Sequence, residues 1–160
     1  MFPKPVLIIG CGDKKQRGTV PIRDLYSKGN WEAYRKYAPE GKHPKIDVYV
    51  ISAEYGLLPE DRMACDYNRV LVSSSKRSLQ PHEKRAKDLV PLLKKQIQQD
   101  RLRGREVNVV ASKAYQEALD LAGLDFQYLP THPEYPEREG RGGSGKQKSS
   151  LIWFLKEFSR

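Results

Sequence analysis

Short apolar runs rich in β-branched residues alternate along this chain with stretches of helical periodicity. The apolar runs are residues 6–9, 48–51, 107–111 and 126–129. The first two are apolar throughout, and the other two each include one polar residue. Apolar runs of this length are typical of strands buried on both faces of a sheet. The helical stretches are residues 31–38, 81–99 and 113–122. Because this alternation is typical of right-handed parallel units, we expect a three-layer α/β fold with a mainly parallel, Rossmann-like sheet and helices on both faces.

The length of the chain favours one domain over residues 1–160, with a Pro/Gly-rich basic loop at 130–150 before a C-terminal helix. We expect Ser149 or Ser150 to cap that helix. Residues 140–146 match GxxxxGK, but Gln147 replaces the Ser or Thr that binds magnesium and no strand immediately precedes the motif. The pattern therefore favours a glycine loop that closes over an anion, with Gly145 and Lys146 among its ligands, over a true phosphate-binding P-loop.

The charge balance favours a polyanionic partner. Lys and Arg number 29 against 20 acidic residues, which gives a net charge of +9. Nucleic acid is the most frequent partner of so basic a small chain, although solubility alone is the alternative explanation. We predict a nucleic acid, with DNA favoured, or a nucleotide as the partner.

Several site and compartment classes are excluded by counting residues. Cys11 and Cys65 are the only cysteines, and the histidines show no metal-ligand spacing, so a disulfide framework and a four-cysteine zinc site are both excluded. No apolar run approaches the ~20 residues that a membrane helix needs. We predict a cytoplasmic, reduced protein with no membrane contact, no structural metal and no cofactor.

Polar residues follow the central apolar run directly. In an open parallel sheet, ligands bind just beyond the carboxyl ends of the strands, and the segment after residue 51 lies at such an end. We expect Ser52, Glu54 and Tyr55 to face a crevice there, with Gly56 allowing a sharp turn. A plain turn with a polar tip is the alternative, because turn chemistry alone explains the glycine.

The first strand leads into a second candidate segment, Gly-Cys-Gly-Asp-Lys-Lys at residues 10–15. Glycines at a strand end let the backbone approach a ligand, and Lys14 and Lys15 suit an anion. Lysines lower the pKa of a nearby thiol, so Cys11 is a candidate nucleophile; the alternative is a small residue that fits its place. Asp13 adds a carboxylate.

A charged pair and a tyrosine complete the candidate site. Arg23 and Asp24 lie in a short segment between loop and helix, where paired charges either fix a loop or contact a ligand. We assign Arg23 to phosphate, together with Lys14, Lys15 and Lys146. Tyr67 is a candidate stacking wall for a base.

These segments resemble the motif set of a known family. Residues 9–15, 23–26 and 51–59 with Tyr67, and more weakly 109–115 and 145–153, are similar to the YaaA (peroxide stress) family. They are still more similar to the short, poorly characterised phage, bacterial and archaeal relatives of that family. The resemblance implies a DNA-binding protein with an α/β core and a link to nucleic-acid damage or base modification.

Two functional hypotheses follow. The first is a nucleic-acid- or nucleotide-binding protein without catalysis. The second is an enzyme that cleaves or exchanges an N-glycosidic bond of a nucleoside or a nucleic-acid base. That chemistry needs a carboxylate to stabilise an oxocarbenium-like centre, by analogy with sugar hydrolysis, and Asp13, Asp24 and Glu54 are the candidates.

Overall fold

The computed structural model describes residues 3–12, 15–129 and 144–159. The strands are β1 (Val6–Gly10), β2 (Thr19–Pro21), β3 (Asp47–Ser52), β4 (Gly56–Pro59), β5 (Met63–Cys65), β6 (Val70–Val72), β7 (Glu83–Arg85), β8 (Val107–Val110) and β9 (Gln127–Tyr128). The helices are α1 (Ile22–Leu25), α2 (Asn30–Arg35), α3 (Ala86–Gln99), α4 (Lys113–Leu121) and α5 (Ser144–Glu157). None of the helices in these ranges is long and apolar enough to cross a membrane.

The main sheet is mixed, which corrects the expectation of a mainly parallel one. Its strand order is β4-β3-β1-β8-β9. The strands β3, β1, β8 and β9 run parallel to one another, whereas β4 runs antiparallel to β3. Two small sheets, β2 with β5 and β6 with β7, lie outside it.

The antiparallel strand β4 arises from a tight reversal after β3. Ser52 pairs with Gly56, whose φ of +66° is in the left-handed region that favours glycine. The chain then runs back along β3, and Leu57 is buried against the core. Pro59 lacks an N–H group but is tolerated because β4 is an edge strand. The sequence pattern predicted only a loop here, since four residues with a glycine and a proline carry little strand signal.

The parallel strands contribute alternate residues to two apolar clusters. Val6 and Ile8 of β1 pack in one cluster with residues of α3 and α4. Leu7 and Ile9 pack in the other with residues of α1, α2 and α5. Successive side chains of a strand point to opposite faces, so this division explains why the predicted runs are continuously apolar.

Two helix boundaries differ from the sequence prediction. The helix expected over 81–99 begins only at Ala86, because residues 83–85 pair with β6 as β7. Pro91 does not interrupt α3; it lies at an exposed position, where solvent can hydrate the carbonyl that loses its partner. The last helix begins at Ser144, earlier than Ser149 or Ser150.

Gln96 of α3 fixes the turn between β3 and β4. Its side-chain oxygen accepts a hydrogen bond from the Leu57 N–H at 2.7 Å, and its amide donates to the Tyr55 carbonyl at 2.9 Å. A Cβ atom on Gly56 would collide with that oxygen, Gln96 Oε1. The glycine is therefore required both by its φ angle and by the close approach of Gln96.

We expect Gly56→Ala to destabilise the fold by about 2–4 kcal/mol, because it adds left-handed strain of about 1–2 kcal/mol to the weakening of two hydrogen bonds of about 1 kcal/mol each. Gly104→Ala is the matched control, since Gly104 also has a positive φ (+81°) but has open space around its Cβ position. Urea denaturation of both variants measures the difference. Equal losses would show that Gln96 does not constrain the turn.

Candidate functional site

The carboxyl ends of three neighbouring strands meet at one place. Gly10 at the end of β1 is in register with Ile51 of β3, and the Cys11 N–H donates to the Ile51 carbonyl at 3.0 Å. On the other side a Cβ on Gly10 would lie 3.2 Å from that of Ala111, just after β8. The Trp31 indole donates to the Gly10 carbonyl at 3.0 Å. These contacts hold the strand ends together beneath the candidate site.

Three tyrosines, Tyr26, Tyr67 and Tyr115, lie close to Cys11, and we call them the tyrosine cluster. The Cys11 thiol lies 2.8 Å from the Tyr115 hydroxyl, and Tyr67 also lies near it. The Tyr67 hydroxyl is 2.7 Å from that of Tyr26. Tyr26, Tyr67 and Tyr115 come from distant segments of the chain, so the cluster forms only in the folded protein.

Burial keeps the tyrosine cluster neutral. It raises the pKa of Tyr26, Tyr67 and Tyr115 far above the usual phenol value, and the negative charge of a Cys11 thiolate would raise each pKa further. The three hydroxyls therefore keep their protons at physiological pH. Neutral phenols can both donate and accept hydrogen bonds, which suits a polar ligand.

A cation and a second aromatic ring border the cluster. The Lys15 ammonium lies 4.5 Å from the centre of the Tyr67 ring, in cation–π geometry. Tyr55 packs edge-on against the same ring, with centroids 5.5 Å apart. The Tyr55 hydroxyl donates to the Cys65 carbonyl at 2.9 Å and accepts from the Cys65 N–H at 3.1 Å, which fixes its ring.

Ser52 and Glu54 occupy different positions in the turn after β3. Ser52 is buried; its hydroxyl accepts from the Tyr55 N–H at 2.8 Å and lies near Tyr26. Glu54 is exposed and lies 3.4 Å from the Arg69 guanidinium. Ser52 therefore fixes the turn from a buried position, whereas Glu54 presents its carboxylate to solvent.

Arg23 is part of a buried ion pair. Its side chain is 4% exposed; it contacts the fully buried Glu60 at 3.2 Å and donates to the Ala38 carbonyl. Burial raises the pKa of Glu60, and hydrogen bonds from the Tyr34 hydroxyl and the His43 N–H oppose that shift, together with Arg23. These contacts occupy the guanidinium, so its structural role is to join α1 to the end of β4.

One comparison places the chain among known sequences. The sequence model of DUF6884, a family of unknown function, matches residues 6–128. The chain belongs to this family. The matched part of the DUF6884 chain contains the tyrosine cluster and the buried ion pair, and it ends before α5. No curated protein and no solved structure is significantly similar to it.

Two of the predicted site residues of this DUF6884 chain lie outside the described residues, and two belong to a helix rather than a loop. Asp13 and Lys14 lie outside the described residues. Gly145 and Lys146 were expected in a loop, but their backbone belongs to the first turns of α5. The helix extends over the glycine because its later residues, among them Leu151 and Leu155, are buried in the core and stabilise it.

The two glycines beside Cys11 approach protein atoms. Gly10 faces Ala111, and a Cβ on Gly12 would lie 3.3 Å from that of Tyr26. The sequence interpretation assigned this close approach to a ligand. In the DUF6884 fold the small residues let the neighbouring strand and Tyr26 pack against the end of β1.

Sequence reasoning missed Tyr26 and Tyr115 as site residues. Each is the last residue of a segment that the resemblance had already marked, residues 23–26 for Tyr26 and 109–115 for Tyr115. The resemblance therefore indicated both segments, but the sequence analysis assigned the site to the charged residues in them rather than to the tyrosines. In the part of this DUF6884 chain that the structure describes, no group of three or more His, Cys, Asp or Glu residues could hold a metal ion.

Two acidic residues contact the same Arg23 guanidinium, so they form a matched pair for testing its role. Glu60→Gln leaves a buried charge uncompensated, and we expect it to cost about 3–5 kcal/mol of stability. Asp24, at 3.7 Å and with a side chain 44% exposed, is an exposed partner, so Asp24→Asn should cost less than about 1 kcal/mol. Urea denaturation at pH 7 compares the two. Similar small losses would contradict a structural role for the buried pair.

Proposed function

We propose that this DUF6884 chain binds a nucleotide or a nucleic acid at the carboxyl edge of its main sheet, with the tyrosine cluster and Lys15 as the central contacts. The observation that carries the proposal is the position of the Lys15 ammonium 4.5 Å from the centre of the Tyr67 ring. It puts a positive charge and an aromatic ring within one nucleotide's reach of each other. A cation can bind the phosphate of a nucleotide, and an aromatic ring can stack on its base.

The surroundings of Tyr67 support recognition of a base or sugar. Tyr55 and Tyr67 are the partly exposed rings of the site, whereas Tyr26 and Tyr115 are buried beneath them. Aromatic rings at the surface bind bases by stacking, at about 1–3 kcal/mol per base. The neutral hydroxyls of the buried pair would offer donors and acceptors at the floor of the same crevice.

The charge of the whole chain supports an anionic ligand. With a net charge of +9, the chain attracts phosphate backbones at a distance. Arg23 contributes no free charge to the crevice, because Glu60 compensates it. Lys15 is therefore the described cation that we assign to the ligand.

We further infer that the core is a three-layer, Rossmann-like arrangement related to that of the YaaA family. The division of alternate strand residues between two apolar clusters supports this inference. So does the position of the proposed site, because open parallel sheets bind ligands beyond the carboxyl ends of their strands. The antiparallel edge strand β4 is compatible with such a core, as many doubly wound sheets carry one.

We expect Lys15→Gln and Tyr67→Ala each to weaken binding of a single-stranded oligonucleotide about tenfold or more, since each removes a contact to phosphate or base. Lys156→Gln is the charge-matched control, because Lys156 is exposed at the end of α5 and outside the crevice. Fluorescence anisotropy at two salt concentrations measures the affinities, and wild-type binding should weaken steeply with salt. If Lys156→Gln weakens binding as much as Lys15→Gln, the protein has only diffuse charge attraction and no site at the crevice.

The position of Glu54 favours the enzyme as a second candidate function. Its carboxylate is exposed and lies 3.4 Å from the Arg69 guanidinium. Glu54 directly precedes Tyr55, and Arg69 follows Tyr67 by two positions. A carboxylate at this place could stabilise an oxocarbenium-like centre while an N-glycosidic bond breaks.

The enzyme hypothesis predicts that Glu54→Gln abolishes release of free base while leaving oligonucleotide affinity nearly unchanged, because the substitution removes the charge and keeps the shape. Chromatographic assay for free base over DNA, RNA and nucleoside substrates provides the measurement, with Asp24→Asn as the second carboxylate variant. Absence of base release by the wild-type protein from all of these substrates leaves the binding function alone.

A further inference from the structure

A second cleft, of about 690 Å³, lies at the opposite edge of the main sheet. It is formed where β1, β3 and β8 begin, and we call it the amino-edge cleft. Its lining residues are Pro3, Lys4, Asp47, Asp100, Arg101, Arg103, Gly104 and Arg105. Four of these residues are basic and two are acidic, so the lining carries a net positive charge.

The two acidic residues of the amino-edge cleft have different neighbours. The Asp47 carboxylate accepts from the Arg105 guanidinium at 2.6 Å. Asp100 lies near Tyr49, and its negative charge adds to the burial that raises the pKa of Tyr49. Asp47 is thus paired with a cation, whereas Asp100 keeps its negative charge, and the four basic residues still outnumber the two acidic ones.

Two of the basic side chains remain available for a ligand. Across the described ranges, the side chains of Lys4 and Arg101 make no hydrogen bond and no ion pair. Arg103, by contrast, donates to the Gly123 carbonyl at 2.9 Å. Arg105 also lines the cleft, and its buried Nε atom has no hydrogen-bond partner among those residues. A buried donor without an acceptor costs about 1–3 kcal/mol, so the Arg105 guanidinium is held in the wall of the cleft with its hydrogen bonds incomplete.

The backbone of Arg101 shows that this side chain is held in place at a cost. Arg101 has a φ of +53° and follows the C-terminal cap of α3. Its N–H donates to Gln98 and the next N–H, of Leu102, donates to Ile97, which is the Schellman pattern. This position usually holds glycine, because other residues are strained there.

Helix α4 ends in the same way and provides an internal comparison. Its corresponding hydrogen bonds run from Gly123 to Asp120 and from Leu124 to Leu119. Gly123, with a φ of +78°, occupies the position that Arg101 occupies after α3. The two helices therefore end with the same capping geometry. After α4 the left-handed position holds the unstrained glycine, whereas after α3 it holds an arginine that lines the amino-edge cleft.

We propose that the amino-edge cleft binds a phosphate group, held by Lys4 and Arg101, with the Arg105 guanidinium adding positive charge to the wall of the cleft. The phosphate is either inorganic phosphate or a backbone phosphate of a nucleic acid. This site goes beyond the proposed function and uses none of the residues of the carboxyl-edge crevice. The competing explanation of Arg101 is that its charge only compensates the negative end of the α3 dipole.

The first experiment titrates the full chain with inorganic phosphate and follows backbone amide signals by NMR. We expect saturable shifts confined to the residues that line the amino-edge cleft. Arg101→Gln should weaken this binding at least tenfold, whereas Arg77→Gln, which removes the same charge from an exposed loop outside the cleft, should leave it unchanged. Shifts that do not saturate, or equal effects of the two variants, overturn the proposal.

A second variant separates ligand binding from helix capping. Arg101→Gly relieves the left-handed strain, so we expect its melting temperature to equal or exceed that of the wild type while phosphate binding is lost. A lower melting temperature with unchanged phosphate affinity would show that Arg101 serves the helix alone, and the proposal would fail.

The last arm identifies the source of the phosphate with a single-stranded oligonucleotide. Weaker oligonucleotide binding by Arg101→Gln assigns the cleft to a nucleic-acid backbone, and an effect on inorganic phosphate alone assigns it to free phosphate. Both results support the cleft, and an effect on neither ligand overturns it. Lys15→Gln in the same assay tests the carboxyl-edge crevice separately, so the two proposals fail independently.

Discussion

The in-register pairing of β1 with its two parallel neighbours determines the geometry of both edges of the sheet. Ile9 pairs with Val50 on one side and Val110 on the other, so the three strands end together. The carboxyl ends bring Cys11 beside Tyr115, although 104 positions separate them in the chain. The amino ends bring Lys4 beside Arg105 in the same way. A slip of one residue would turn the core side chains of β1 to the wrong faces, which is why the register is strongly specified.

The buried Arg23–Glu60 pair connects the surrounding elements to this frame. Removing two charges from water is costly, and the protein compensates with a dense set of hydrogen bonds. Glu60 accepts from Tyr34 and from the backbone of His43, while Arg23 reaches the Ala38 carbonyl. The pair thereby joins α1, the segment after α2, and the end of β4. Such pairs are specific in their geometry, since an alternative packing would leave a charge without its partner.

Much of the fold was predictable from the sequence because β1, β3 and β8 are buried on both faces. These strands and the helices between them leave apolar runs and periodic stripes, which local patterns show directly. The position of β4 was not predictable, because a short edge strand containing Gly56 and Pro59 has the composition of a loop. Its pairing depends on Gln96, which is 39 positions from Leu57 in the chain.

The candidate site shows how far distant segments could be grouped from the sequence. The segments near Cys11, Arg23 and Glu54 were predicted to meet at one cleft; the structure brings Cys11 close to Tyr67, whereas Arg23 is buried in its pair with Glu60. Arg23 shows the limit of this reasoning: a charged residue beside a predicted site is as easily a partner for a buried acid 37 positions away. Tyr26 and Tyr115 were missed for the converse reason, since a tyrosine next to an apolar run usually belongs to the core.

The contact of Trp31 with the end of β1 has an optical consequence. Its indole N–H donates to the Gly10 carbonyl, and its ring packs against Tyr26 and Tyr34 at centroid distances of 6.1 and 5.6 Å. The emission of an indole depends on the polarity and hydrogen bonding around it. Trp31, one of two tryptophans in the chain, thus contacts the residue before Cys11, so an occupant that shifts Gly10 or Tyr26 changes the emission of Trp31 without any added label.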